Sequence, residues 1–241
     1  MTPTDVGVSL KDREPRYRET VVQMLRSQAW RELSAAQLFG HGLQYVSDLR
    51  SLKFISRHVQ EETEHYAAVA ELYQKHVGES IEPWVQEKLA TKPIPWASSF
   101  LELGIAQWLY DRGGFWQLRE YEESSWGPYR EVVGKIVSQE EGHQYHGQNI
   151  AVPLIREEKD RAKVQRIFES WLRQGLICLG RPGSEGNRYA VSVGLKKRDS
   201  ADCIKDYVKD ILPAVREAGL KLPPKDRLSV DLPADIEWPL D

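Results

Sequence analysis

Hydrophobic positions recur at helical spacing through most of the chain and mark four long helices. The predicted helices cover residues 15–39, 44–77, 96–121 and 129–155. Pro15 suits the first turn of the first helix, because a missing N–H costs nothing there. Gly40 and Gly42 are predicted to end that helix, and Gly78 is predicted to end the second. The pattern therefore predicts an all-α fold in which four long helices form two pairs.

Shorter elements are expected around these four helices. The proline-rich residues 79–95 are predicted to cross from the first helical pair to the second. Two further helices are predicted at residues 158–176 and 200–218. The glycine-rich residues 180–194 between them are predicted to be a loop, with a short strand near residues 189–193 as the one candidate for β structure.

Domain boundaries follow from the same pattern. We expect a loose leader over residues 1–14, one helical domain over 15–220 and an extended, proline-rich tail over 221–241. No apolar run approaches the ~20 residues of a membrane helix, and the polar N-terminus does not read as a secretory signal. Cys178 and Cys203 have no metal-type spacing, so a cytoplasmic location without a disulfide framework is expected.

Two of the predicted helices carry the same motif, Glu-x-x-His. It occurs at Glu62 and His65 in the second helix and at Glu140 and His143 in the fourth. Residues three apart share one face of a helix, so each pair can reach one metal ion. Both glutamates fall on the apolar stripe of their helix, where burial of an unpaired carboxylate is prohibitively expensive.

A second carboxylate precedes each motif by nearly the same distance. Glu32 lies 30 residues before Glu62, and Asp111 lies 29 residues before Glu140. Antiparallel helices joined by a short turn bring residues at such separations level with each other. The predicted ligands are therefore Glu32, Glu62, His65, Asp111, Glu140 and His143. Carboxylate and imidazole ligands without thiolate suit two iron ions, with manganese as the alternative.

Some of these polar residues also have simpler explanations. Asp111 could cap a helix or pair with Arg112 and need not be a metal ligand. The remaining histidines are assigned to the surface or to a layer behind the ligands: His41, His58, His76 and His146.

A formal net charge of −3 offers no basic footprint, so no nucleic-acid partner is expected. Eight tryptophans suit a thick helical core and could also line an apolar pocket.

These motifs together resemble the catalytic subunit of the phenylacetyl-CoA epoxidase family, bacterial multicomponent oxygenases with a ferritin-like fold. More distantly, the chain is similar to benzoyl-CoA epoxidase. The similarity runs from about residue 15 to residue 226. It rests on segments 59–65, 108–111, 127–129 and 140–144, on Gly147 and on the basic run 196–198.

The resemblance implies a ferritin-like four-helix bundle with a long crossover and additional C-terminal helices. It also implies an O2-dependent di-iron monooxygenase that inserts one oxygen atom, by ring epoxidation or hydroxylation, into an acyl-CoA such as phenylacetyl-CoA. Electrons would come from a separate NAD(P)H-dependent reductase carrying flavin and an iron–sulfur cluster. A related, metal-poor subunit is an expected partner, in an oligomer. Lys196, Lys197 and Arg198 would bind the CoA phosphates, or else form a solvated charge run.

Three other functions use the same residues. A ferroxidase or iron-storage protein shares the ligands but needs no organic pocket, and the aromatic-rich third helix argues against it. A hydroxylase of a modified tRNA base would need a basic face, which the composition lacks. A non-catalytic structural subunit would not need six intact ligand positions. The sequence therefore favours an oxygenase.

Overall fold

The computed structural model describes residues 9–92 and 94–239. The first eight residues of the predicted leader, Pro93 of the predicted crossover and the last two residues of the predicted tail lie outside the described residues. The helices in chain order are α1 (Pro15–Gly42), α2 (Leu49–Val77), α3 (Glu82–Thr91), α4 (Phe100–Ala106), α5 (Arg112–Arg119), α6 (Gly127–Glu157), α7 (Arg161–Cys178), α8 (Glu185–Ser192) and α9 (Ser200–Glu217).

A π-helical segment, Gln107–Asp111, joins α4 to α5. Short 3₁₀ turns occupy Leu10–Asp12, Leu43–Tyr45 and Lys225–Leu228. The described residues contain no strand, so the predicted all-α, ferritin-like class is confirmed. No helix among them has the length and apolarity that crossing a bilayer would require.

The described chain forms two compact units. Unit 1 contains the residues up to Phe100 together with Ser124–Ile136, and unit 2 contains Leu101–Glu123 together with the residues from Val137 onward. The predicted boundaries of the leader, the helical domain and the tail stay predictions.

Unit 1 is built on the hairpin of α1 and α2, with α3 packed against α1. Small and branched apolar residues fill the contact, among them Val21, Ala29, Ile55 and Val69, all of which are buried. Because the connection between α1 and α2 is short, the two helices are antiparallel neighbours. This arrangement brings the middle of α1 level with the middle of α2.

Two helix boundaries in unit 1 differ from the prediction, and a third agrees with it. Helix α1 continues beyond residue 39 and through Gly40, because a glycine inside a packed helix costs only about 1 kcal/mol, and it ends at Gly42. Helix α2 begins at Leu49 and not at residue 44, because the Asp48 side chain caps it by accepting from the Ser51 N–H at 2.8 Å. The predicted end of α2 is confirmed, since Gly78 has the left-handed φ of 94°.

The predicted crossover, residues 79–95, is not a plain loop, because it contains α3. Pro83 lies in the first turn of α3, where proline favours a helix, so the predicted crossover contains a short helix that was not predicted. Ile81 and Val85 anchor this short helix by burial.

Unit 2 contains α4, the π segment, α5, α7, α8, α9 and the C-terminal part of α6. Helix α7 packs against the π segment and α5, and α9 packs against α5. Gly113 makes a close backbone approach to α7, since a Cβ there would overlap the carbonyl oxygen of Gly175. The predicted loop and strand over residues 180–194 are wrong in part: Ser184 caps α8 by accepting from the Asn187 N–H at 3.3 Å.

Candidate metal centre

The first half of the candidate site lies inside unit 1, between α1 and α2. Ligand atoms of Glu32, Glu62 and His65 lie within 4.8 Å of one another. The Nδ1 atom of His65 is 3.3 Å from the Oε2 atom of Glu32. All three side chains are buried, with exposures of 3%, 2% and 4%. The structure therefore brings these three side chains together, and their role as metal ligands stays a prediction.

Glu32 is held as an anion by its neighbours. Burial by itself raises the pKa of the Glu32 carboxyl, but the hydrogen bond and positive charge of His65 lower the pKa below its ordinary value, with help from Glu62 and Arg31. Gln28, one turn earlier on α1, donates its side-chain N–H to Glu32. A buried carboxylate kept ionised next to a second carboxylate and an imidazole is an arrangement that a cation would stabilise.

His58, which was predicted to lie at the surface or in a layer behind the ligands, is a further member of this cluster. It is fully buried, and its Nε2 atom lies 3.0 Å from the Oε1 atom of Glu62. Its ring packs on Phe39 with ring centroids 4.2 Å apart. His58 therefore holds one oxygen of Glu62 in place, while Phe39 holds the imidazole.

A simple sequence signal could have found these supporting residues. Gln28 precedes Glu32 by four residues, His58 precedes Glu62 by four and Gln107 precedes Asp111 by four. Residues four apart are neighbours on one helix face, so a polar side chain at that position can hydrogen-bond the carboxylate. The structure shows this bond for Gln28 and for His58. Gln107 bonds His146, with 2.8 Å between Oε1 and Nδ1.

The second half of the candidate site lies inside unit 2. Glu140 and His143 are both buried on α6, and the Nδ1 atom of His143 is 3.9 Å from the Oε2 atom of Glu140. A Cβ built at Gly114 would lie 3.9 Å from Oε2 of Glu140, so α5 passes within van der Waals distance of that carboxylate. The Glu-x-x-His pair of the fourth predicted helix is thus presented on one face, as expected.

Asp111 is also buried, but its position differs from that of the other carboxylates. It ends the π segment, whose wider turn changes the register of the helix between α4 and α5. Among the described residues, Asp111 does not join Glu140 and His143 in a group of ligand atoms all within 4.8 Å of one another. Its role as a ligand stays a prediction. Arg112, the alternative partner, donates to Gln148 at 2.8 Å.

Each half therefore presents donors that suit the same metals. Oxygen from buried carboxylates and nitrogen from imidazole are ligands that iron and manganese accept, and thiolates are not involved, because both cysteines lie outside the clusters. The donor chemistry fits the predicted di-metal site.

The basic run 196–198 is held by acidic and polar side chains inside unit 2. Lys196 is buried and its Nζ donates to Ser200 at 2.8 Å, and burial lowers the pKa of this lysine. Lys197 pairs with Glu123 at 2.5 Å. Arg198 contacts the buried Glu120 at 2.6 Å, a bond that raises the pKa of the guanidinium. A CoA phosphate would have to compete with these partners, and the predicted CoA contact stays a prediction.

Paired long helices that carry buried carboxylate and Glu-x-x-His donors define an all-α, ferritin-like protein with a candidate carboxylate–histidine metal site. A family model described as Phenylacetic acid catabolic protein matches residues 39–231. The chain belongs to the phenylacetic acid catabolic protein family, as the sequence motifs indicated. The matched region contains every predicted ligand except Glu32. A comparison with curated proteins gave no match.

Proposed function

We propose that this chain is the metal-binding, catalytic subunit of an O2-dependent monooxygenase that acts on an acyl-CoA thioester. Phenylacetyl-CoA is the first candidate substrate, because the family is named for phenylacetic acid catabolism. The observation that carries the proposal is the buried convergence of Glu32, Glu62 and His65. A subunit with a purely structural role has no need to bury two carboxylates beside an imidazole, because that burial is costly without a cation.

The proposed reaction is a four-electron reduction of O2, two electrons from the substrate and two from an external reductant. One oxygen atom is inserted into the acyl group, as an epoxide on an aromatic ring or as a hydroxyl. The other oxygen leaves as water, with two protons and two electrons supplied from NAD(P)H through a flavin and iron–sulfur reductase. The reductase and a metal-poor partner subunit in a cytoplasmic oligomer are part of the proposal.

Six side chains would hold the metal: Glu32, Glu62, His65, Asp111, Glu140 and His143. Two iron ions, when bound, supply the electron chemistry that activates O2. The protein's own contribution is positioning and exclusion of water. His58 orients Glu62 through its 3.0 Å hydrogen bond, and Gln28 and Arg31 support Glu32 from α1.

The first test is metal content after anaerobic reconstitution with ferrous iron. Wild-type protein should bind two iron ions per chain, and Glu62→Gln should lose at least one of them. Glu64→Gln is the matched control, because Glu64 lies two residues away on α2, is exposed and pairs with Gln60. A Glu62→Gln protein that keeps the iron content of Glu64→Gln would refute the ligand assignment.

The second test is oxygen insertion. Iron-loaded protein receives a chemical reductant, ¹⁸O2 and a panel of acyl-CoA thioesters, with phenylacetyl-CoA against acetyl-CoA as the central comparison. We expect a product that carries one ¹⁸O atom from phenylacetyl-CoA and none from acetyl-CoA. Iron-loaded wild-type protein that oxidises no thioester, in the presence and absence of the partner subunit, would refute the oxygenase assignment. Uptake of many iron ions per chain would favour iron storage instead.

A further inference from the structure

The π segment Gln107–Asp111 is enclosed by backbone from two other elements of unit 2. Gly147 of α6 lies so close that a Cβ there would overlap the amide nitrogen of Trp108. Gly175 of α7 lies so close that a Cβ would overlap both the carbonyl oxygen of Leu109 and the hydroxyl of Tyr207. The segment therefore has little freedom to shift sideways against α6 or α7.

A side chain from a distant helix completes this enclosure. Tyr207 of α9 donates its hydroxyl to the carbonyl oxygen of Leu109, with 3.1 Å between the two oxygens. The same carbonyl also accepts from the N–H of Arg112, a tight contact at the junction of the π segment and α5. Tyr207 is fully buried, and burial raises the pKa of its hydroxyl, so the proton stays available for this bond.

A π turn is less stable than the α-helix around it, and such turns persist where surrounding contacts hold them. If the turn reverted to α-helix, the residues after it would rotate about the helix axis, and the carboxylate of Asp111 would change direction. The contacts at Leu109 therefore influence the direction of the Asp111 carboxylate through the backbone, without touching that side chain.

We propose that Tyr207 is a positioning residue, which fixes the π turn through the Leu109 carbonyl and so aims Asp111 for metal binding. This inference rests on the proposed function, in which Asp111 is a ligand. Gly175 has a supporting part, because only a residue without a side chain leaves room for the Tyr207 hydroxyl beside Leu109.

The test compares Tyr207→Phe with Tyr73→Phe. Both substitutions remove one buried hydroxyl, and Tyr73 bonds Glu79 and Arg26, which belong to unit 1, whereas the π segment belongs to unit 2. The first readout is amide hydrogen exchange in metal-free protein. Tyr207→Phe should speed exchange over residues 107–113 roughly five- to tenfold, the factor expected for loss of one hydrogen bond. Tyr73→Phe should leave that segment unchanged.

The second readout is a spectroscopic titration with Co²⁺. Wild type and Tyr73→Phe should bind two ions with the same affinities. Tyr207→Phe should bind one ion normally and the other roughly five- to tenfold more weakly, with altered absorption for that ion. Gly175→Ala should show the same selective loss.

The two possible failures are distinguishable. A Tyr207→Phe protein with wild-type exchange over residues 107–113, or with two wild-type Co²⁺ affinities, overturns the inference and leaves the metal centre standing. Wild-type protein that binds no Co²⁺ or Fe²⁺ overturns the proposed function and the positioning role together.

Discussion

Substitution of Arg198 can distinguish a structural role of the basic run 196–198 from a role in CoA binding. Its guanidinium contacts Oε1 of Glu120 through two nitrogens, at 2.6 and 3.1 Å, and Asp206 at 2.8 Å. Glu120 is only 1% exposed, so its charge depends on these donors. We therefore predict that Arg198→Ala destabilises the protein, whatever it does to substrate binding.

The expected size follows from the two partners. Removing one member of a buried ion pair costs ~3–5 kcal/mol. The Arg198 side chain is 36% exposed, and its backbone N–H, which the alanine keeps, still donates to Oε2 of Glu120 at 2.9 Å. Both facts reduce the loss, to about 2–3 kcal/mol. For a chain of this length that corresponds to a fall in Tm of roughly 5–10 °C.

The assay is denaturant unfolding with Lys197→Ala as the matched control. Lys197 pairs with Glu123 on the surface, with both side chains about half exposed or more, so its loss should cost at most ~1 kcal/mol. Equal stabilities of the two variants would refute the structural reasoning for Arg198. Binding of CoA to each variant is measured in parallel: a CoA site at residues 196–198 requires weaker binding by Lys197→Ala at unchanged stability.

Three further predictions follow from buried contacts. His58→Phe keeps the ring beside Phe39 but loses the bond to Glu62, and it should weaken iron binding roughly tenfold in chelator competition; wild-type affinity would contradict the orienting role. Gly147→Ala should lower the free energy of unfolding by ~1–3 kcal/mol or more, because its methyl meets backbone. At Gly134 on the same helix a Cβ would meet no other atom, so Gly134→Ala should raise the free energy of unfolding by ~0.5–1 kcal/mol. Similar effects of the two substitutions would contradict the close backbone contact at Gly147. Burial raises the pKa of Cys203 from 9.0 to about 12, so the folded state keeps a proton that the unfolded state releases above pH ~9. Stability should therefore fall as the pH rises from ~9 to ~12, and alkaline unfolding of Cys203→Ala should lack this component.

The sequence anticipated the elements whose signals are local. The stripe containing Glu62 and His65 predicted both the helix and the buried face, because a 3.6-residue period is visible without knowledge of the partner helix. Gly78 was recognisable as a helix end, since the left-handed conformation that ends the helix favours glycine. The short helix α3 was not predicted, because proline breaks a helix in its interior and favours one in its first turn, where Pro83 lies.

Other features depend on tertiary contacts and left no local pattern. The π turn before Asp111 is held by Tyr207, 98 residues later in the chain than Leu109, and no window of sequence contains both. The four-residue spacing of His58 and Glu62 is a local signal, but the packing of the His58 ring on Phe39 depends on the partner helix and has no local pattern. The sequence alone places Lys196 at the surface. In the structure its Nζ atom donates hydrogen bonds to Ser200 and Asn187.

The contacts of Gly113, Gly147 and Gly175 bear on attempts to redesign this protein. At all three positions main chain meets main chain or the Tyr207 hydroxyl, so any larger residue must push two helices apart. Combinatorial libraries aimed at new substrates should leave these codons unmutated. Residues that contact other elements only through side chains can change shape without moving a helix, and they are the better targets for diversification.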